Sequence, residues 1–372
     1  MQAEKHPIST LHSSTAYALN SFHFGAPGTG KKVYIQAALH ADEVPGMLVA
    51  QFLRRELLAL EAAGKIRGEV VLVPAANPIG LAQAIHGAPF GRFDLSTGVN
   101  FNRAYKHVAQ ELKESLVGEL GADADANVAA VRRHARASVA SWQASTDADA
   151  LKKILLGLAI DADIVLDLHC DNEAVLHIYT GTPLADAVAP LSALLGAHAV
   201  LLAREAGEEP FDEACSRLWW ELAEHFGAAF PLPLSCLSTT VELRGEMDVG
   251  YALAQRDAEA LIGFLAHAGV IDAAAPSLPA PLCQPTPLEG VEPILAPHAG
   301  VLVFLCELGQ RVEAGTVLAE VTDPVSGVCT PLRCTVAGVF FARSAHRHVL
   351  RGMNVGKIAG ATAFRSGKLL SQ

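Results

Sequence analysis

Short apolar runs alternate with segments that carry apolar residues at helical spacing. Residues 33–37 read as a buried strand with alternating apolar positions, and apolar residues recur at helical spacing from Leu48 to Leu60. Pro45 suits the first turn of that helix, where its missing N–H costs little. Residues 68–76 form a second buried strand. The order strand, helix, strand predicts an α/β fold.

The same pattern continues to residue 267. The sequence predicts an edge strand at 15–24, helices within 106–157 broken near Gly121 and 145–147, and a loop of active-site type at 79–103. It also predicts further strands at 163–168, 175–179 and 239–243, and further helices at 183–195, 212–226 and 251–267. We expect a mixed, mostly parallel central sheet with helices on both faces.

The composition changes after residue 271. Residues 272–287 are rich in Pro and Ala, which is typical of an extended linker. Short predicted strands separated by Gly turns follow from residue 291. We therefore predict a catalytic domain at 1–270, a linker at 271–290 and a small all-β, barrel-like domain at 291–372.

Composition limits the choice of partners and compartment. The chain has 372 residues, half of them apolar, and a formal net charge of −11, which argues against nucleic acid or an anionic membrane as a partner. Seven cysteines without paired spacing are typical of reduced thiols. The beginning of the chain shows no apolar signal segment, and no apolar run is long enough to span a bilayer. We expect a cytoplasmic protein.

Polar side chains follow several of the predicted strands. His40 and Glu43 stand between the first strand and helix, His169 ends the strand at 163–168, and Glu242 lies in the strand at 239–243. Ligands bind outside the carboxyl ends of strands in open α/β sheets, and two His with one Glu and an open position form a catalytic zinc site. His-x-x-Glu alone also fits surface residues at a turn.

Asn102 and Arg103 add a candidate anion site. Their amide and guanidinium groups are planar donors suited to a carboxylate, although a structural salt bridge is an equal alternative. Asp167 and Asp42 are candidates for orienting a metal-bound histidine. His177 is interpreted as a core histidine.

These motifs together resemble a known family. His40-Ala-Asp-Glu43, Asn102-Arg103, Asp167-Leu-His169 and Thr240-Val-Glu242-Leu resemble, in order and rough spacing over residues 30–268, the zinc carboxypeptidase-like amidohydrolases. The closest branch is the succinylglutamate desuccinylase/aspartoacylase family.

The resemblance implies a role for each residue. His40, Glu43 and His169 would bind Zn²⁺, Glu242 would be the general base, and Asn102 with Arg103 would bind a substrate carboxylate. Arg92 is the nearest candidate for the family arginine that polarises the scissile carbonyl, although its spacing departs from the pattern. Arg244 stands where the family turn is Gly-rich, and it could contact substrate or face solvent.

The expected activity is zinc-dependent hydrolysis of a small N-acyl amino acid. Alternatives are a metallocarboxypeptidase that acts on peptides, and a non-catalytic binding protein that retains the fold. The C-terminal domain resembles a lipoyl/biotinyl-type barrel, but no lysine occurs between residues 290 and 356 to carry a prosthetic group. We therefore expect a structural cap or a contact in a homo-oligomer.

Overall fold

The structure is a computed structural model that describes residues 1–8, 16–367 and 369. The start of the predicted edge strand, at residue 15, lies outside the described residues. The helices are Pro45–Ala62 (α1), Pro78–Leu81 (α2), Ala109–Ser115 (α3), Ala124–Ser141 (α4), Asp147–Ala159 (α5), Ala185–Leu195 (α6), Phe211–Phe226 (α7) and Tyr251–His267 (α8).

Among the described residues, twelve strands precede the C-terminal region: Gln2–Pro7 (β1), Ala18–Gly25 (β2), Lys31–Ala37 (β3), Gly68–Val73 (β4), Ala84–Ile85 (β5), Ala88–Pro89 (β6), Ile164–Asp171 (β7), Glu173–Ala174 (β8), His177–Gly181 (β9), Ala199–Ala203 (β10), Leu237–Gly245 (β11) and Thr286–Pro287 (β12). Eight follow: Val291–Leu295 (β13), Gly300–Phe304 (β14), Arg311–Val312 (β15), Val317–Thr322 (β16), Cys329–Arg333 (β17), Gly338–Arg343 (β18), His348–Val349 (β19) and Asn354–Gly360 (β20).

The central sheet has nine strands in the order β1-β2-β4-β3-β7-β11-β9-β10-β12. Five of its neighbouring pairs are parallel, and β1/β2, β2/β4 and β9/β11 are antiparallel. The predicted mixed, mostly parallel sheet is therefore confirmed. Strands β1, β10 and β12 were not predicted. Strand β1 is mostly polar, β10 lies in an Ala-rich stretch that does not alternate, and β12 falls within the predicted linker.

Helices cover both faces of this sheet. One apolar core packs α3, α4, α5 and α7 against one face, and the other packs α1, α6 and α8 against the opposite face. Alternation along β3 divides its side chains between the two cores, with Tyr34 in the first and Val33 and Ile35 in the second. The break predicted near Gly121 falls between α3 and α4, and the one predicted at 145–147 ends at the first residue of α5.

The C-terminal region forms two further sheets around a core of its own. Their strand orders are β13-β20-β18-β15 and β17-β16-β14-β19. Strand β8 of the preceding region pairs with β18, so that Glu173 lies opposite Arg343. The all-β character is confirmed, while the resemblance to a lipoyl domain stays a prediction. The boundaries at 270 and 290 also stay a prediction, since β12 pairs with β10 of the central sheet.

Candidate metal centre and active site

Two segments of the chain position the candidate metal ligands. His40 and Glu43 stand in the turn between β3 and α1, where Ala38 adopts a left-handed backbone with φ of 58° and Pro45 opens the helix. His169 lies near the carboxyl end of β7, next to β3 in the sheet. The donor atoms of His40, Glu43 and His169 all lie within 4.8 Å of one another, and all three residues are buried. The predicted convergence therefore occurs.

Both histidines direct Nδ1 at the Glu43 carboxylate. His40 Nδ1 lies 2.8 Å from Glu43 Oε1, and His169 Nδ1 lies 2.7 Å from Glu43 Oε2. Their rings meet edge to face with centroids 4.9 Å apart. The cluster thus presents two nitrogens and a carboxylate to one point, which is a donor set that suits Zn²⁺.

The opposite ring nitrogens are held by acceptors. His40 Nε2 lies 2.8 Å from Asn100 Oδ1, an oxygen that also accepts the backbone N–H of Asn102. His169 Nε2 lies 2.9 Å from Asp167 Oδ2, and the amide of Gln36 donates to the other Asp167 oxygen. Histidines that bind metals usually donate their second N–H to such a partner.

The protonation of these ring nitrogens favours a cation at the centre of the cluster. When Nε2 of a neutral imidazole donates its proton outward, Nδ1 keeps a lone pair, and here that lone pair would face a carboxylate. Burial, with the charge of Arg92 adding to it, lowers the pKa of His40 to about 4. Burial opposes charge on His169, but Asp167 and Glu43 raise its pKa well above the usual range. A metal ion would satisfy the lone pair of His40 and would replace the Nδ1 proton of His169 in front of Glu43, so the residues present fit one.

Glu242 lies beside this cluster without joining it. It is the register neighbour of His169 on the adjacent strand β11, and its Oε2 is buried without a hydrogen-bond partner among the described residues. Burial, helped by the charge of Glu43, raises the pKa of Glu242 to about 8. A raised pKa of this size suits a group that takes and returns a proton.

The cluster opens into a cavity of about 270 Å³ that also holds the predicted substrate residues. Arg92 Nη1 lies 3.2 Å from Glu43 Oε1 and 3.3 Å from His40 Nδ1. Asn102 accepts the backbone N–H of Phe211 through Oδ1, so its NH₂ is the end that can meet a ligand. The Arg103 side chain is 9% exposed, and its Nε lies 3.7 Å from Glu208 Oε2.

Arg244 does not reach the cavity wall. Its guanidinium pairs with the buried Asp257 of α8, and its backbone has φ of 70°. This placement does not support a substrate contact. Asp42 makes no hydrogen bond to His40 or His169 in the described part of the chain. His177 is a buried core residue as predicted, with its ring against those of Tyr179 and Phe341.

The cavity wall also contains residues that were not predicted from the sequence. Asp212 and Glu213 at the start of α7 line the cavity, and burial raises their pKa values to about 7 and about 8.

The C-terminal region also supplies part of the wall, through Arg343, Ser344, Asn354, Gly356 and Lys357. Lys357 Nζ lies 2.5 Å from Asp171 Oδ2. That region is therefore more than an outer cap. The pairing of β8 with β18 and the contact of Lys357 with Asp171 hold it against the preceding region.

The protein is of the α/β class, with a mixed central sheet. A buried His-Glu-His cluster beside a carboxylate gives it a candidate metal centre of the kind used in hydrolysis. Residues 29–268 match the model of the succinylglutamate desuccinylase/aspartoacylase catalytic domain. The chain therefore belongs to the succinylglutamate desuccinylase/aspartoacylase family. Comparison with curated protein sequences gave no significant match.

Solved structures with the same fold extend over nearly the whole chain. A succinylglutamate desuccinylase/aspartoacylase family protein from Shewanella amazonensis SB2B is 27% identical, with a TM-score of 0.84 over 96% of this chain and 98% of that one. A protein described in the same way from Shewanella frigidimarina NCIMB 400 is 25% identical, with a TM-score of 0.81 over 96% and 97%. The ectoine utilization protein EutE (DoeB) from Ruegeria pomeroyi, at 17% identity and a TM-score of 0.67 over 96% and 93%, shares the fold.

Within residues 1–8, 16–367 and 369, no helix is both long and apolar enough to cross a membrane.

Proposed function

We propose that this protein is a zinc-dependent amidohydrolase that cleaves a small N-acyl amino acid or a related amide that bears a carboxylate. The observation that carries the proposal is the convergence of His40, Glu43 and His169 beside Glu242, whose Oε2 has no hydrogen-bond partner among the described residues. Membership of a family of desuccinylases and aspartoacylases supports amide hydrolysis as the reaction.

His40, Glu43 and His169 would hold the metal, and Zn²⁺ bound there would supply a polarised carbonyl and a water of lowered pKa, from ~15.7 toward ~7. Asn100 and Asp167 fix the two imidazole rings, so the ligands are held in place before the ion arrives.

The residues of the chain divide the remaining work. Glu242 takes the proton of the attacking water and returns it to the leaving amine. Arg92 lies within hydrogen-bond distance of Glu43 and His40, and its guanidinium is therefore next to the position proposed for the metal. From there it can stabilise the oxyanion that forms when water attacks the carbonyl. Asn102 and Arg103 bind a carboxylate of the substrate at the cavity wall.

The proposal is tested with chelator-treated protein before and after zinc addition. Release of the free amine is measured on a panel of N-acetyl and N-succinyl amino acids, their carboxamide analogues and short peptides. We expect zinc-dependent hydrolysis of N-acyl amino acids and much weaker hydrolysis of the uncharged carboxamides. Preferred cleavage of peptides would favour a carboxypeptidase, and binding without cleavage of any member would favour a non-catalytic role.

A further inference from the structure

A second cluster of metal-ligand side chains lies outside the cavity, at the edge of the central sheet. Glu4 and His6 are on β1, and His23 is on the neighbouring strand β2. Glu4 pairs with Ser21 in the antiparallel register, and alternation places His6 and His23 on the same face as that pair. None of these four residues lines the cavity of the candidate active site.

The donor atoms in this cluster converge. Glu4 Oε2 lies 3.7 Å from His23 Nε2 and 3.9 Å from His6 Nε2, and one donor atom of each residue lies within 4.8 Å of the other two. Donors around a tetrahedral zinc ion at ~2.0–2.1 Å are separated by roughly 3.4 Å. Side-chain shifts of a few tenths of an ångström would therefore close the triangle around an ion.

His23 is oriented in the way that metal-binding histidines are. Its Nδ1 lies 3.1 Å from Oε1 of Glu69 on β4, so the Nδ1 proton goes to that carboxylate. The lone pair of His23 is then on Nε2, which is the nitrogen that faces Glu4 and His6. A carboxylate in this outer position fixes the tautomer and increases the basicity of a ligating imidazole.

The cluster is also accessible to an ion. The His6 and His23 side chains are 20% and 18% exposed, and Glu4 is 40% exposed, so an ion can enter from solvent.

We propose that Glu4, His6 and His23 bind one zinc-class divalent ion that ties the edge strand β1 to β2 and, through Glu69, to β4. Two imidazoles and a carboxylate leave a fourth position for water or for the Ser21 hydroxyl, which lies 2.8 Å from His6 Nε2 and 2.9 Å from His23 Nε2. This site is independent of the function proposed for the cavity. The competing interpretation is a network in which Ser21 bridges the two imidazoles and no metal binds.

The test is zinc stoichiometry of the full chain after chelator treatment and equilibrium dialysis against micromolar zinc at neutral pH. We expect about two zinc ions per chain in the wild type, and about one in His23→Gln and in Glu4→Gln. His169→Ala, which removes a cavity ligand, should also bind about one, and the double variant His169→Ala/His23→Gln should bind none. His23→Gln should keep the zinc-dependent hydrolase activity of the wild type.

His134→Gln is the matched control, because His134 also lies beside a serine and a glutamate, Ser115 and Glu119, without a second histidine in contact among the described residues. It should leave the stoichiometry unchanged. Zinc should raise the melting temperature of His169→Ala but not of the double variant. Equal zinc content in His169→Ala with and without His23→Gln would overturn the proposal, and so would binding seen only at millimolar zinc. Because Glu4 is partly exposed, Glu4→Gln gives the same answer if His23→Gln does not fold.

Discussion

Glu242 lies directly across from His169 on the adjacent parallel strands β11 and β7. His169 contacts a carboxylate through each ring nitrogen, Glu43 through Nδ1 and Asp167 through Nε2. In contrast, Glu242 Oε2 has no hydrogen-bond partner in the part of the chain that the structure describes. One strand pair therefore places a candidate metal ligand beside a carboxylate whose Oε2 has no hydrogen-bond partner among the described residues. This relationship supports separate roles for the two residues, one as ligand and the other as proton shuttle.

Replacing Glu242 by Gln should remove the base and keep the shape. We expect kcat on the best N-acyl amino acid to fall by about 10²–10⁴-fold, with zinc still bound and substrate affinity little changed. Steady-state kinetics and metal analysis check this. Glu246→Gln is the control, because Glu246 accepts a hydrogen bond from Asn172 and is not among the residues that line the cavity. Near-normal turnover in Glu242→Gln would exclude Glu242 as the base, and loss of zinc would make it a ligand.

The sequence predicted those residues of this site whose position depends only on lying at the end of one strand. His40, Glu43, His169 and Glu242 each follow or lie in a strongly apolar strand, and neighbouring strands bring such positions to one edge. Asn100 was not predicted, because an amide that holds a histidine has no spacing rule. Gln36 was interpreted as part of a buried strand, and its bond to Asp167 requires the β3–β7 register.

Arg103 should be sensitive even to a conservative change. Lysine cannot reproduce the two-pronged geometry of a guanidinium, and a hydrogen bond to a charged group is worth ~1.5–3 kcal/mol. We expect Arg103→Lys to lower kcat/KM by about 10–100-fold, mainly through KM.

The matched control for this change is Arg244→Lys. Arg244 pairs with Asp257 rather than lining the cavity, so its replacement should lower the melting temperature and leave KM unchanged. A rise in KM for Arg244→Lys without one for Arg103→Lys would reverse the two assignments.

The contribution of the C-terminal region could not be predicted, because it depends on how two separately patterned segments pack. Lys357 lies in the region predicted as short strands, but nothing in the pattern indicates that β18 pairs with β8 or that Lys357 meets Asp171. No lysine occurs between residues 290 and 356, and Lys357, the next residue, is one of five residues of this region that line the cavity.

Lys357→Met should therefore affect the reaction as well as the packing. Removing the ammonium leaves Asp171 unpaired and subtracts a positive charge from a cavity that is proposed to bind an anion. We expect KM to rise by about tenfold, corresponding to ~1.4 kcal/mol, with zinc content unchanged. Arg347→Met is the control, because Arg347 pairs with Glu173 between the same two regions without lining the cavity. Equal effects of both changes on KM would show that Lys357 acts only through packing.

Glu213 gives a prediction for stability against pH. Burial, with Asp212 adding to it, raises the folded-state pKa of Glu213 from 4.5 to about 8. The folded state therefore holds more protons than the unfolded state between these values, and the free energy of unfolding falls as pH rises through them. In Glu213→Gln this loss should shrink by more than ~1.4 kcal/mol between pH 5 and pH 8.

Urea unfolding at the two pH values measures the difference. Glu259→Gln, at an exposed position of α8, should keep the pH dependence of the wild type. The assignment would be contradicted if the free energy of unfolding of the wild type rose from pH 5 to pH 8 and Glu213→Gln abolished that rise.

An anomalous-difference map of zinc-replete crystals, recorded above the zinc absorption edge, would show whether His40, Glu43 and His169 hold a zinc ion. We expect a peak ~2.0–2.2 Å from Nδ1 of His40, Nδ1 of His169 and a carboxylate oxygen of Glu43. Crystals of His169→Ala should lose that peak. The absence of any peak at this position in protein that hydrolyses N-acyl amino acids would contradict a zinc-dependent mechanism.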